Sequence, residues 1–509
     1  MEVSRGRQSV KNVIAAIILK IFQIILPFIT RTIIVHEFGL EYVGLSGLFN
    51  SIIGMLSVAE LGIGTALIYA MYIPIKDNDY IKINAILNFY KKAYFTIGLI
   101  VGIIGCIIMP FLDVIIKEGT YPQEINIYIL YVFYLCNTII TYLVYAYKAS
   151  VLDAHQMGFL ASKVKLKMLF VQYLIQIVII LIVKNYYIYS LMLPLCTLVS
   201  CLLIARISDK LYPDYKPSGE LEKGEKKRIF YNVKALFLYK IGSIVLNSVD
   251  NIVISWYFGI YILGIYNNYY YIISSVFSIL LTVYSAVTPS IGNAIASKNK
   301  KDNYEDYMNL SLGYSWVVGW CVTCIICLMQ PFMEIWIGKE GLLPIGCVWI
   351  FGMYFFSFRV CDVVGWYKDA AGLWEKDQYY RLIAAGVNLF LNIFLIQVIG
   401  IYGVLISTII SLIFIQYPIA IKVILSYFEV EHKEYIKQLI YTSVMILFVA
   451  VISYFLCSHI AINNLIIELL VRIFICIIIS NILFLVGFSK MKRFREMTKL
   501  IWSKIKNVL

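Results

Sequence analysis

The sequence predicts an all-α polytopic membrane protein of about fourteen transmembrane helices. They are expected to form two parallel six-helix repeats around a central cavity, plus two C-terminal helices. Three observations predict it. The 509 residues are 61% hydrophobic and only 14% charged, whereas a soluble protein carries nearer a quarter charged residues. Apolar runs of about twenty residues, each long enough to cross a bilayer as a helix, recur along the whole length. The stretch 12–45 returns without a gap at 232–265, keeping Asn12/Asn232, Val13/Val233, Lys20/Lys240, Ile21/Ile241, Phe38/Phe258, Gly39/Gly259 and Gly44/Gly264 in register. Chance shares Ile and Leu between apolar segments, but rarely an intramembrane lysine and the glycines, so this is an internal duplication of about 220 residues.

The spans fall in order near 12–35, 43–72, 90–112, 124–147, 166–183 and 186–206, then 235–258, 264–289, 310–335, 344–367, 382–399, 401–421, 438–457 and 464–487. Backbone groups in lipid must be satisfied within the segment, which selects helices; continuous apolar runs lack the alternation of barrel strands. Charge orients the chain. With the N-terminus in the cytoplasm, the outer loops hold only Lys117, Lys184 and Lys339, and Lys20, Arg31, Lys240, Arg359 and Arg472 lie deep in spans. The rest of the 43 Lys and Arg fall on the cytoplasmic side, as the positive-inside rule requires. Both termini are then cytoplasmic, and the net charge of +13 reflects topology, not a nucleic-acid partner. No cleavable signal peptide is expected, because the basic opening runs straight into a full-length span.

The longest polar segment, 208–228, carries Pro213, Pro217 and Glu225-Lys226-Lys227-Arg228. Six spans precede it, so both repeats enter the membrane the same way and are related by an axis along its normal. The expected division is an N-terminal repeat at 1–207, a cytoplasmic linker at 208–230 and a C-terminal repeat at 231–430. Two extra helices follow at 431–488, then a basic amphipathic tail at 489–509, expected to lie on anionic lipid.

A helix advances 100° per residue, which places Lys20, Gln23, Pro27 and Arg31 on one face of span 1. The matching positions of span 7 are Lys240, Ser243, Asn247 and Asn251, with Asp250 at the edge. A charge facing lipid costs about 2.5–3.5 kcal/mol, so these stripes should face a polar cavity; internal pairing is the alternative. Glu60, in Glu60-Leu61-Gly62-Ile63-Gly64, corresponds to Leu280, and Asp250 to Thr30. Such carboxylates either exchange a coupling ion or neutralise Lys20, Arg31 and Lys240. On span 10, Arg359 and Asp362 stand three apart on one face; they pair with each other or serve a substrate phosphate. Lys368, Asp369, Lys376 and Arg381 read as solvated loop charges, and Arg472 as the local partner of Glu468. Span 8 offers Tyr266, Asn267, Asn268, Tyr269, Tyr270 and Tyr271, a set suited to sugars or simply to a membrane interface.

No phosphate loop, H-E-x-x-H or G-x-S-x-G is present, and His36, His155, His432 and His459 are scattered. Cys321, Cys324 and Cys327 give C-x-x-C-x-x-C, but within an apolar helix and without a nearby fourth ligand; they read as packing residues. No metal and no cofactor are expected, and a transporter is expected in place of an enzyme.

Arg31 with Phe38-Gly39 and Gly44-Leu45, then Glu60-Leu61-Gly62-Ile63-Gly64, resembles the opening of bacterial polysaccharide-export flippases of the multidrug/oligosaccharidyl-lipid/polysaccharide export superfamily. Val249-Asp250-Asn251 with Gly259 and Gly264-Ile265-Tyr266 resembles that family's seventh span. Asp369-Ala370-Ala371-Gly372-Leu373-Trp374, Tyr380-Arg381 and Asn388-Leu389 resemble its later half. The resemblance implies a flippase that translocates an undecaprenyl-pyrophosphate-linked oligosaccharide from the cytoplasmic to the outer leaflet of the bacterial plasma membrane by alternating access. The route would be capsule- or O-antigen-type assembly. Lys20, Arg31, Lys240, Arg359, Asn247 and Asn251 would bind substrate, and Glu60, Asp250 and Asp362 would couple H+ or Na+. Membrane lipids and polysaccharide-synthesis proteins are the other expected partners. The alternatives are a peptidoglycan lipid-precursor flippase, then a drug/cation antiporter or a membrane glycosyltransferase or polymerase.

Overall fold

A computed structural model of the chain describes residues 2–57, 63–117, 120–373, 376–460, 462–496 and 498. For 2–19, 65, 228, 230–240, 243–247 and 286 the description is of the backbone alone. Among the described residues every regular element is helical. The helices are α1 (Glu2–Glu37), α2 (Leu40–Leu56), α3 (Ile63–Lys76), α4 (Tyr80–Ile108), α5 (Leu112–Ile115), α6 (Ile127–Leu143), α7 (Ala146–Ala154), α8 (Gly158–Val178), α9 (Tyr186–Leu211) and α10 (Lys223–Phe258). There follow α11 (Ile260–Ser297), α12 (Lys300–Ile337), α13 (Ile345–Arg359), α14 (Asp362–Ala370), α15 (Gln378–Ile399), α16 (Ile401–Ile410), α17 (Tyr417–Phe428), α18 (His432–Ser458) and α19 (Leu465–Ser489).

Ten helices among the described residues are long and apolar enough to cross a membrane, or eleven when α6 and α7, bent by 51°, count as one span. Leu40–Leu56 and Ala66–Lys76 are shorter apolar helices. The span expected at 43–72 includes residues 58–62, which lie outside the described residues, between α2 and α3; fourteen stands as an approximate count. The chain is an all-α, multi-pass membrane protein.

Side-chain chemistry sets the helix starts. Asn126, Asn185 and Asn464 each accept hydrogen bonds from the two backbone N–H groups two and three residues on, opening α6, α9 and α19. Asp79 and Asn299 cap α4 and α12, each accepting from the one N–H three residues on, and such caps meet donors that a helix start otherwise leaves unsatisfied. Gly39 and Gly259 make the turns into α2 and α11 at φ 109° and 88°, a left-handed region that glycine enters without a Cβ penalty.

The helices pack as two compact units, Met1–Asn268 and Tyr269–Leu509. The division falls inside α11. In the first unit α1 lies along α8, α2 crosses α10, and α6 packs between α4 and α9. The segment joining α9 to α10 is tied down: Asn84 donates to the Asp214 carbonyl at 3.3 Å, and Asn88 to that of Gly219 at 2.7 Å. In the second unit α12 is the hub, packed by α13, α18 and α19, while α15 and α16 form a close pair. Asn388, Asn392, Ser407 and Thr408 hydrogen bond to one another between α15 and α16, fully buried. The described start of the tail docks on protein: Arg493 pairs with Glu305 and, at 2.8 Å, with Glu434. Phe494 is buried against Trp316 and Phe488.

Candidate functional site

The repeat that opens the sequence becomes a contact in the first unit. Gly44 and Gly264 are repeat mates, as are Leu40 and Ile260. A Cβ on Gly44 would stand 2.2 Å from the Ile260 carbonyl oxygen, and one on Gly264 would stand 2.0 Å from that of Leu40. Each mate thus meets the carbonyl four residues before the other, a reciprocal crossing that leaves no room for any side chain on either helix.

The same reciprocity governs the polar residues. Arg31 Nη1 donates to the Asn267 carbonyl at 2.7 Å, with a longer contact of 3.4 Å to Asn268 Oδ1. Its repeat mate Asn251 donates from Nδ2 to the Gly47 carbonyl at 3.4 Å and to Ser51 Oγ at 2.7 Å. Residue 267 is the mate of residue 47. One position of each repeat therefore reaches the same carbonyl of the other, with a guanidinium in one direction and an amide in the reverse. Asn267 and Asn268 each hold a buried side-chain amide nitrogen with no hydrogen-bond partner among the described residues. Asp250 is buried, with the Tyr266 hydroxyl donating to it at 3.5 Å. Its mate Thr30 is equally buried and donates along its own helix to Leu26. Lys20 is half-buried on α1. The side chains of Lys240 and Asn247, and the whole of Glu60, lie outside the described residues.

In the second unit Arg359 and Asp362 form a salt bridge at 3.0 Å, both side chains mostly buried. They flank the break between α13 and α14. Tyr314 donates to the same Asp362 oxygen at 2.6 Å, and the guanidinium lies over the Phe277 ring, 4.3 Å from its centroid, a cation–π contact. The Tyr417 hydroxyl donates to the carbonyls of Ser357 and Phe358, groups that the break would otherwise leave unpaired. Arg472 and Glu468 pair at 2.5 Å.

Some readings change. Lys368 is not a solvated loop charge: it forms an ion pair with Asp377, each side chain 1% exposed, and Arg381 approaches the same carboxylate at 3.9 Å. Asp369 accepts from the Tyr284 hydroxyl at 2.9 Å. The correction has a physical cause, since α14 folds Lys368 inward and the next helix start brings Asp377 to meet it. Tyr266, Asn267, Asn268 and Tyr269, weighed as sugar contacts, are all buried; Tyr269 is held by Gln330 and the Leu343 N–H. A second ion pair, between buried Lys148 and the exposed carboxylate of Asp209, was not singled out from the sequence. The tyrosine-lysine doublets Tyr147-Lys148 and Tyr367-Lys368, about 220 residues apart, were the available signal.

A bundle of membrane-crossing helices with paired intramembrane charges and repeat-related crossings defines a polytopic helical membrane fold. Residues 9–295 match the family described as polysaccharide biosynthesis protein, over half the chain, and the chain belongs to that family. No curated protein matches the chain. Solved structures do. The lipid II flippase MurJ, in an inward closed conformation, is 16% identical with a TM-score of 0.65, covering 94% of this chain and 99% of that one. An inward-facing multidrug resistance MATE family transporter of the MOP superfamily is 13% identical with a TM-score of 0.57, covering 82% of this chain and 99% of its own. The eukaryotic MATE transporter AtDTX14 is 15% identical with a TM-score of 0.53, covering 86% and 99%. What these share with the chain is the fold. The chain is a multi-pass membrane protein of that family, and the fold it shares is that of solved transporters.

Proposed function

We propose that this chain is a flippase that carries an undecaprenyl-pyrophosphate-linked oligosaccharide from the cytoplasmic to the outer leaflet of a bacterial plasma membrane. The product would feed a capsule- or O-antigen-type polysaccharide. The observation that carries this reading is the polysaccharide biosynthesis family match over residues 9–295. The fold supports a lipid-linked cargo: the likeness to a lipid flippase takes in 94% of the chain, and that to the MATE transporter 82%.

A pyrophosphate entering a low-dielectric site needs cations and amide donors. Lys20, Arg31, Lys240 and Arg359, with Asn247 and Asn251, are assigned to it. Arg31 is held by a neutral carbonyl acceptor. A phosphate oxygen is the stronger acceptor, so substrate would draw the guanidinium away and loosen the crossing at Gly44 and Gly264. The repeats 1–207 and 231–430 would then rock between two states, with both termini cytoplasmic. Glu60, Asp250 and Asp362 are assigned to ion coupling.

A second reading, translocation of the peptidoglycan lipid precursor, is favoured by the likeness to the lipid II flippase. Deleting the gene separates the two. Accumulation of an undecaprenyl-pyrophosphate oligosaccharide in the inner leaflet, with loss of surface polysaccharide, is the expected result. Rescue of a strain depleted of its own lipid II flippase, without any such accumulation, would favour the second reading.

A further inference from the structure

The C-x-x-C-x-x-C run in α12 is completed by residues far away in sequence. Cys327 lies beside Cys457 of α18 and Cys476 of α19, all three fully buried, with their sulfur atoms within 4.8 Å of one another. Cys324, three residues before Cys327 and so on the same helix face, packs against this trio, its thiol within hydrogen-bond reach of Cys476. Three thiols from three helices therefore converge on one point, and a fourth, Cys324, stands at its edge beside Cys476. All eleven cysteines are free, and the other seven do not join this cluster.

We propose that Cys324, Cys327, Cys457 and Cys476 form a four-sulfur site for a thiophilic d10 metal ion, Zn2+ or Cu+. Two of the ligands have the C-x-x-C spacing of structural thiolate sites. Around a tetrahedral ion with bonds of about 2.3 Å the sulfur atoms stand ~3.8 Å apart, so the trio is within a side-chain adjustment of that geometry. The ligand set is soft and holds no carboxylate, which disfavours Mg2+ and Ca2+.

Charge is the obstacle inside a membrane protein, because four thiolates around Zn2+ leave a net charge of minus two. Arg472 answers it. Its guanidinium donates to the Cys327 carbonyl at 3.3 Å, and its charge acts on Cys457 and Cys476. Its Nε is buried with no hydrogen-bond partner among the described residues. Binding would release the thiol protons to solvent. The ion would lock α18 and α19, the two extra helices, onto the hub helix α12.

The test uses the full-length chain, purified in detergent with reductant and freed of metal. Co2+ is added as a probe for the Zn2+ arm, and Cu+ against a chromophoric chelator for the other. We expect about one ion per chain, a sulfur-to-cobalt charge-transfer band that Zn2+ or Cu+ abolishes, and a higher melting temperature with metal. C457S and C476S should lose at least tenfold in affinity, while C347S, a buried cysteine outside the cluster, should not. A wild-type chain with four reduced thiols that gives neither band nor ion retention overturns the proposal, as does a disulfide among the four. If the serine variants do not fold, the wild-type spectrum and metal-dependent melting decide alone.

Discussion

Arg31 and Asn251 answer each other across the repeat, one as a guanidinium and one as an amide, each donating to the carbonyl of residue 267 or 47. That gives a clean way to separate structure from transport. Arg31→Asn puts the mate's own residue in place, keeping a donor while removing the charge. It should leave protein in the membrane and abolish surface polysaccharide; normal export from Arg31→Asn cells would make Arg31 a structural donor only. The glycine crossing makes a second prediction. A methyl on Gly264 would meet backbone, which cannot swing aside, so Gly264→Ala should cost about 1–3 kcal/mol in detergent melting. Gly292→Ala, with nothing within 4 Å of the new atom, should melt like wild type. The pair Lys368–Asp377 is the third case. Removing one partner of a buried ion pair costs about 3–5 kcal/mol, so Asp377→Ala should lower the melting temperature sharply. Glu225→Ala, at the more exposed pair with Lys82, should barely move it.

Among the elements, the segment between α9 and α10 is built as a strap. His155, after α7, stacks on Tyr212 at 4.0 Å between ring centroids, and its Nε2 lies 3.1 Å from the Tyr215 hydroxyl. Burial lowers the His155 pKa from 6.5, because the charged ring is the form that desolvation disfavours. The neutral ring therefore contributes stability that is fully present above about pH 6.5. It is lost as pH falls and the unfolded chain takes up the proton first. Melting curves between pH 8 and pH 5 should show a steeper acid loss for wild type than for His155→Phe; parallel loss in both would remove His155 as the cause. Apolar runs in the sequence located the long helices, since length and apolarity alone define a span. They did not locate the breaks. Where α13 stops at Arg359, Tyr417, more than fifty residues on, shares its one hydroxyl donor between the Ser357 and Phe358 carbonyls, and no local signal marks that. The ties of the polar segment between α9 and α10 to Asn84 and Asn88 are long-range and invisible to composition.

For the whole molecule, the duplication was legible because its fixed points are physical necessities. Gly39 and Gly259 sit at positive φ, and Gly44 and Gly264 at a crossing with no space for a side chain. Those constraints hold the residues in register while the apolar faces drift. Lys368 was misjudged for the opposite reason, since its partner Asp377 comes from the start of the next helix; the neighbours of Cys327, more than a hundred residues away, were equally out of sight. The transport account gathers the same facts into one claim, that the chain moves a lipid pyrophosphate carrying an oligosaccharide and that its intramembrane cations serve that headgroup. Vesicles test it most directly. Purified protein is reconstituted with a fluorescent undecaprenyl-pyrophosphate oligosaccharide, and the label exposed to an impermeant quencher is followed with time. The account predicts protein-dependent movement between leaflets, slowed at least tenfold by Arg31→Asn. Vesicles in which wild-type protein moves lipid II but leaves the oligosaccharide where it was inserted would contradict it.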